Sequence, residues 1–248
     1  MSLVTIEPHE HANIIRIQNG LTNALCEDLV AELEKALANV GDQHKGLVLA
    51  GGEKFFSIGL DLPQVLNYDR PAMQAFWRRF EQLQLDLLTM SVPTACAIRG
   101  HATAGGMILS LTTDVRIMAE GKTLAGLNEL HIGIMVPYLT HLMLEHRIGT
   151  TNAIKLEVSG EFMTPDKAVS LGYADEVLPK DQVEQRALEI VSKMARIPSK
   201  AFVGSKDNAT RFIQERFNAL RDDKERILLD SWFDPGTQQL LREAAKKF

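Results

Sequence analysis

Residues 55–62 read F-F-S-I-G-L-D-L, and residues 99–111 read R-G-H-A-T-A-G-G-M-I-L-S-L. Each is a hydrophobic strand exit, then a glycine turn, then the start of a helix. Glycine lets a backbone approach a ligand closely, and the first turn of a helix leaves N–H donors without internal partners. One such turn is common. Two in a chain of 248 residues suggest a pair of backbone donors converging on one oxygen, which is an oxyanion hole. A carboxylate follows at Glu129 in G-L-N-E.

The segments around these turns alternate in character. I-I-R-I at 14–17 reads as a strand, and L-V-L-A at 47–50 as a second, fully buried one. Between them, Leu29, Val30, Leu33, Ala36, Leu37 and Val40 recur at the spacing of one buried helix face over 26–40. Strand, helix, strand implies a right-handed parallel crossover. A second long helix is expected over 71–90, with Pro71 in its first turn and a break before Pro93. Strands at 94–98, 115–119 and 174–178 follow, with helices at 105–112, 164–171 and 182–195. Thr164-Pro165 caps and opens the second of these helices, and Gly172 stops it.

From Ser199 onward the chain is helical and charged, with apolar stripes that need a surface. No strands remain to cover, so a partner subunit is one candidate cover. The Ile197-Pro198-Ser199 hinge divides a core, 1–197, from a helical region, 198–248, that packs on the core or on a neighbouring subunit.

Composition excludes several function classes. The chain is 45% hydrophobic and can bury a sizeable core as one large domain. A net charge of −5 and a pI near 5.8 give a polyanion no broad face to bind, so nucleic acid is set aside. Lys246-Lys247 reads as a solvated tail. Cys26 and Cys96 sit in apolar contexts and read as buried or semi-buried, reduced thiols. The start, M-S-L-V-T-I-E-P-H-E, lacks the basic and apolar regions of a signal peptide, and a cytoplasmic location is expected. The most apolar window, 94–113, contains Arg99, His101 and glycines, so no membrane span is expected. The seven histidines show no metal-ligand spacing with carboxylates.

Four motifs together resemble the crotonase (enoyl-CoA hydratase/isomerase) superfamily over almost the whole chain. They are G-G-E-K-F-F-S-I-G-L-D-L from Gly51, R-G-H-A-T-A-G-G from Arg99, A-G-L-N-E-L-H-I-G-I from Ala125 and T-P-D-K-A-V-S-L-G-Y-A-D-E-V-L-P from Thr164. The run G-L-N-E-L-H-I-G-I-M-V-P looks most like the mitochondrial-type Δ3,Δ2-enoyl-CoA isomerases of that superfamily. The resemblance implies an α/β spiral of β-β-α turns with a C-terminal helical trimerisation region. It also implies a homotrimer or dimer of trimers and an acyl-CoA thioester substrate. No cofactor is implied beyond the coenzyme A of that substrate. The two oxyanion N–H groups would belong to Leu60 and Gly105, the second at a helix start whose dipole adds positive potential. The coenzyme A would lie along Ile58, Gly59, Leu60 and Asp61 and beside Ala24.

One departure bears on the reaction. Hydratases of the family carry two glutamates, one at the position of Glu129 and one where this chain has Ile108. Adding water needs one group to activate it and another to manage the α-carbon proton. Moving a double bond from C3 to C2 needs a single base that lifts a C2 proton and returns it at C4. Glu129 with the Leu60 and Gly105 amides is therefore a complete isomerase set. Its apolar neighbours Leu127, Leu130 and Ile132 are consistent with a pKa raised by desolvation.

Several alternatives stay open at this level. They are a hydratase in which Glu129 works alone, another acyl-CoA enolate chemistry, and a coenzyme A-binding scaffold without catalysis. Asp61 reads as the cap of the helix that Pro63 opens. Ser57 has no base near it in sequence, His101 and His131 stay outside the catalytic set, and Asn128 either caps a turn or touches substrate.

Overall fold

In the computed structural model, which describes residues 2–41 and 45–246, each apolar run becomes a strand of one large sheet. β1 (Val4–Pro8) pairs antiparallel with β2 (Ala12–Ile17). β3 (Gly46–Ala50) then adds in parallel. β4 (Phe55–Ser57) leaves that sheet for a second one. β5 (Thr94–Ile98) returns to the first sheet, and β6 (His101–Thr103) joins the second. β7 (Val115–Ala119), β8 (Ala125–Gly126) and β9 (Glu176–Leu178) complete the set. The orders are β1-β2-β3-β5-β7-β9 and β4-β6-β8. From β3 onward successive strands thus alternate between two sheets, which is the β-β-α spiral.

Helices fill the returns. α1 (Glu27–Gly41) links β2 to β3. α2 (Leu62–Val65) and α3 (Arg70–Leu88) follow β4. α4 (Gly105–Leu111) follows β6. α5 (Tyr138–Ile148), α6 (Thr150–Ser159) and α7 (Pro165–Leu171) lie between β8 and β9. α8 (Val183–Met194) puts Val183, Ala187 and Val191 against Ile14, Val48, Ala95, Ala97, Ile117 and Ala119 on one sheet face. The small alanines let the helix sit close. The opposite face, with Ile15, Leu49, Cys96, Ile98 and Met118, joins the main core beside α1 and α3.

The expected caps are present. Asp61 accepts from the Gln64 N–H at 3.1 Å, and Thr164 accepts from the Lys167 N–H at 3.4 Å. Cys26 and Cys96 are both free and buried. Lys247, half of the pair read as a solvated tail, lies outside the described residues.

The C-terminal stretch forms the 34-residue α9 (Ser199–Trp232) and then α10 (Pro235–Ala245). α9 packs on α3 and α5 of its own chain, burying Ile213, Phe217, Leu228, Leu229 and Trp232. α10 packs on α2. That stripe of α9 is covered by helices of the same chain, the first of the two surfaces expected for this region, while Phe212, Leu220 and Ile227 on α9 stay exposed. Among the described residues, no helix is long and apolar enough to cross a membrane.

Candidate active site

A cavity opens where the two sheets, α3 and the C-terminal helices meet, and its lining is mostly apolar. The turn after β4 contributes Ile58, Leu60 and Leu62, and α3 contributes Trp77 and Phe80. The start of α4 adds Ala104, Gly105 and Ile108. A 3₁₀ turn, Glu129–Ile132, adds Asn128, Glu129 and Ile132 from its length and flank. Leu228, Trp232 and Ala244 close the wall from α9 and α10. Among these residues Glu129 alone is ionisable.

The first glycine turn is held from the segment before α1. The Asn23 amide donates to the Phe56 carbonyl at 3.1 Å, and the Ser57 hydroxyl donates to the Asn23 carbonyl at 2.7 Å. Ser57 Oγ in turn accepts from the Gly59 N–H at 3.2 Å. Leu25 donates to the Gly59 carbonyl at 2.7 Å and accepts from the Asp61 N–H at 3.0 Å. In such a parallel bridge the residues on either side are committed to Leu25, so the N–H of Leu60 points away from it.

The second turn is strained. Ala104 has φ +47° and ψ −122°, and its N–H is fixed to the Gly126 carbonyl at 2.9 Å. An alanine held there costs about 1–3 kcal/mol, a strain that clusters at ligand-binding sites. It lets Gly105 open α4, whose first N–H has no acceptor inside the helix. Gly59 has φ +97°, and a Cβ there would lie 2.8 Å from the Gly105 nitrogen. The two turns thus touch backbone to backbone, which only glycines permit.

Glu129 is 7% exposed, and its Oε2 has no hydrogen-bond partner. Burial pushes its carboxyl up to about 7; its own backbone N–H opposes the rise, and the charge of Glu157 adds to it. The turn that carries it is pinned from both ends. Glu129's carbonyl accepts from the Ile134 N–H at 3.0 Å. The Gly133 carbonyl accepts from the hydroxyls of Ser231 at 2.8 Å and Thr237 at 3.2 Å. A carboxyl raised towards neutrality, in a mostly apolar cavity that Leu60 and Gly105 also line, is equipped for proton transfer next to a carbonyl.

The structure brings together Ile58, Leu60, Gly105 and Glu129 on one wall. Ala24, Gly59 and Asp61 are not among the residues that line the cavity. The Ala24 carbonyl accepts from the Asn19 amide at 2.7 Å, and Asp61 serves as the α2 cap. Asn128 stands at the N-cap of the 3₁₀ turn without a side-chain cap bond, and it lines the cavity. Ser57 is a buried strut of the glycine turn. His101 accepts from the Leu124 N–H at 3.1 Å, and burial followed by Lys180 and Lys54 lowers its pKa. Sequence reasoning missed Asn23, Ser231 and Thr237, whose role is visible only in their hydrogen bonds. It also left Phe80, Leu228 and Trp232 unassigned, since apolar residues at helical spacing carry only a core signal.

The family model for enoyl-CoA hydratase/isomerase matches residues 9–234. The chain belongs to the enoyl-CoA hydratase/isomerase family. It is the crotonase family that the four motifs suggested, and the chain is an enzyme of it. Mouse mitochondrial enoyl-CoA delta isomerase 1 is 30% identical over 200 residues, covering 79% of this chain and 69% of the relative. The 2,3-dehydroadipyl-CoA hydratase of Escherichia coli strain K12 is 34% identical over 179 residues, covering 72% of this chain and 68% of the relative. The crystal structure of human mitochondrial delta3-delta2-enoyl-CoA isomerase superposes with a TM-score of 0.94 at 26% identity, over 99% of this chain and 97% of that one.

Proposed function

We propose that this enoyl-CoA hydratase/isomerase family member moves the double bond of a 3-enoyl-CoA to the 2-position. The observation that carries the reading is a single buried carboxylate, Glu129, with an unpartnered oxygen in a cavity where Ile108 occupies the second acid's place. Glu129 takes the C2 proton, and the electron pair delocalises onto the thioester oxygen and through the C3–C4 double bond. The N–H groups of Leu60 and Gly105 hold the developing negative charge. The protonated Glu129 then returns the proton at C4, leaving the double bond between C2 and C3. Atoms and charge balance with no cofactor beyond the coenzyme A of the substrate. Losing one such backbone donor typically costs about 2.7–4 kcal/mol of transition-state stabilisation. Coenzyme A lies along Ile58–Asp61 and beside Ala24 in this reading. The similarity to mitochondrial enoyl-CoA isomerases over most of the chain supports it.

A second reading, hydration of 2-enoyl-CoA with Glu129 working alone, has the 34% identity to the Escherichia coli hydratase in its favour. Assays with 3-enoyl-CoA and 2-enoyl-CoA on the wild type and Glu129→Gln separate the two. Isomerisation lost in the variant supports the first reading, and efficient hydration by the wild type overturns it. The chain works as a homotrimer or dimer of trimers in this reading. Ile154, Val158 and Phe162, each at least 40% exposed on or just beyond α6, are available for such contacts. Light scattering that finds a monomer at micromolar concentration would remove that part.

A further inference from the structure

The proposed chemistry leaves a second buried carboxylate without a role. Glu81, on α3, is 4% exposed. Its Oε1 accepts the indole N–H of Trp77, one turn earlier, at 3.0 Å. Its Oε2 lies 3.4 Å from Arg221 Nε on α9. Arg221 is fixed in turn: its guanidinium sits 5.5 Å over the Phe217 ring and donates to the Arg78 carbonyl at 3.3 Å. One helix turn along α9, Glu225 pairs with Arg78 at 2.6 Å and accepts from Gln74.

A buried carboxylate is costly unless paired, and a leucine between two helices would fill the same space at lower cost. What the acid does that leucine cannot is latch an indole. Trp77 meets Phe80 edge to face, with centroids 5.9 Å apart, and both rings line the cavity that Glu129 faces. Trp232 and Leu228, on the helix that Arg221 anchors, line it too. Three nearly fully buried aromatic rings leave an acyl chain no exit on that side.

We infer that Glu81 is a positioning residue that locks the Trp77 ring as the end wall of the acyl pocket, so that the Glu81–Trp77 pair sets the longest acyl chain accepted. This rests on the acyl-CoA reading of the cavity. It does not depend on which bond is rearranged.

The test measures Kd for straight-chain saturated acyl-CoAs from four to sixteen carbons by titration calorimetry, alongside kcat/KM on 3-enoyl-CoAs. In the wild type each added CH₂ tightens binding about fourfold up to a cut-off, beyond which the gain stops. Trp77→Ala moves the cut-off at least two carbons longer. Glu81→Leu, which removes the acceptor, moves or blurs it. Glu81→Gln keeps a carbonyl for the indole N–H and retains the wild-type cut-off. If Glu81→Leu does not fold, Trp77→Phe removes the same hydrogen bond from the other side. An unchanged cut-off in Trp77→Ala, or identical profiles for Glu81→Gln and Glu81→Leu, overturns the inference even when 3-enoyl-CoA is isomerised normally. A cut-off that responds as described with no isomerisation by the wild type retires only the reaction.

Discussion

Replacing Glu129 with glutamine should stop turnover and make the protein more stable at alkaline pH, and both effects come from the same burial. The folded carboxyl is pushed up to about 7 against an ordinary 4.5. Between those values the folded chain holds a proton that the unfolded chain has released. The stabilisation is fully present below about pH 4.5 and is lost as pH rises through 7. The difference corresponds to about 3 kcal/mol. The amide leaves much the same hydrogen bond unmade as the protonated acid, so Glu129→Gln should keep the acid form's stability at every pH. At pH 8 the variant should gain about 3 kcal/mol, or roughly 6–12 °C in Tm for a chain of this size. Glu81 is also raised to about 7, chiefly by burial, so about half of the wild-type loss should persist in the variant. Urea titrations at pH 5 and pH 8 measure both proteins. Wild-type kcat should rise through about pH 7 and level off above it, because the carboxylate is the base. The variant should lose roughly 10²–10⁴-fold at every pH. Parallel stability losses in the two proteins, or a variant weaker at pH 8, would show that the carboxyl is not desolvated as argued.

Gly59→Ala should lower kcat by about 10²–10³-fold, because its Cβ would crowd the Gly105 nitrogen and displace one backbone donor. It should also destabilise by about 1–3 kcal/mol at φ +97°, read by steady-state kinetics and denaturant titration. Normal kcat in that variant would remove Gly105 from the reaction. Ile108→Glu puts a second acid on the cavity wall and should raise hydration of 2-enoyl-CoA at least roughly tenfold, followed by loss of the conjugated-enoyl absorbance. Cys96 is fully buried, and burial pushes its thiol pKa far up, so a thiol reagent should reach it only at the unfolding rate. Labelling of both cysteines within mixing time in native buffer would contradict that packing.

The parts of the fold that were readable are those whose physics is local. Strands β3, β5 and β7 are short, mostly apolar runs, and each lies where its residues put it. Asp61 and Thr164 cap their helices because a side-chain oxygen before a proline has one obvious use. The strands β4, β6 and β8 are two or three residues long, too short to show a period of two, and they were absorbed into the glycine motifs. α5 and α6 were not read because Gly149 interrupts an apolar pattern whose buried face depends on neighbours. The strain at Ala104 has no sequence mark at all, since nothing in A-T-A-G-G says which small residue takes the positive φ.

The same limit explains why the sequence leaves two surfaces open for the C-terminal helices, the core or a neighbouring subunit. Which stripe of α9 is apolar was legible; which surface meets it was not, because α3 and α5 present that surface only after folding. The consequence reaches the turn that carries Glu129. Ser231 and Thr237 hold the Gly133 carbonyl, across 98 and 104 residues of sequence, and Gly133 closes the 3₁₀ turn that Glu129 opens. Leu228, Trp232 and Ala244 complete the cavity that Leu60, Gly105 and Glu129 begin. A change at the α9–α10 junction should therefore reach Glu129 before it reaches the sheet. Ser231→Ala and Thr237→Val together leave that carbonyl without two donors, and should shift the pH at which kcat levels off while the sheet's hydrogen-exchange protection stays as it was. An unmoved pH profile would mean that the backbone alone, through Ile134, holds Glu129 in place.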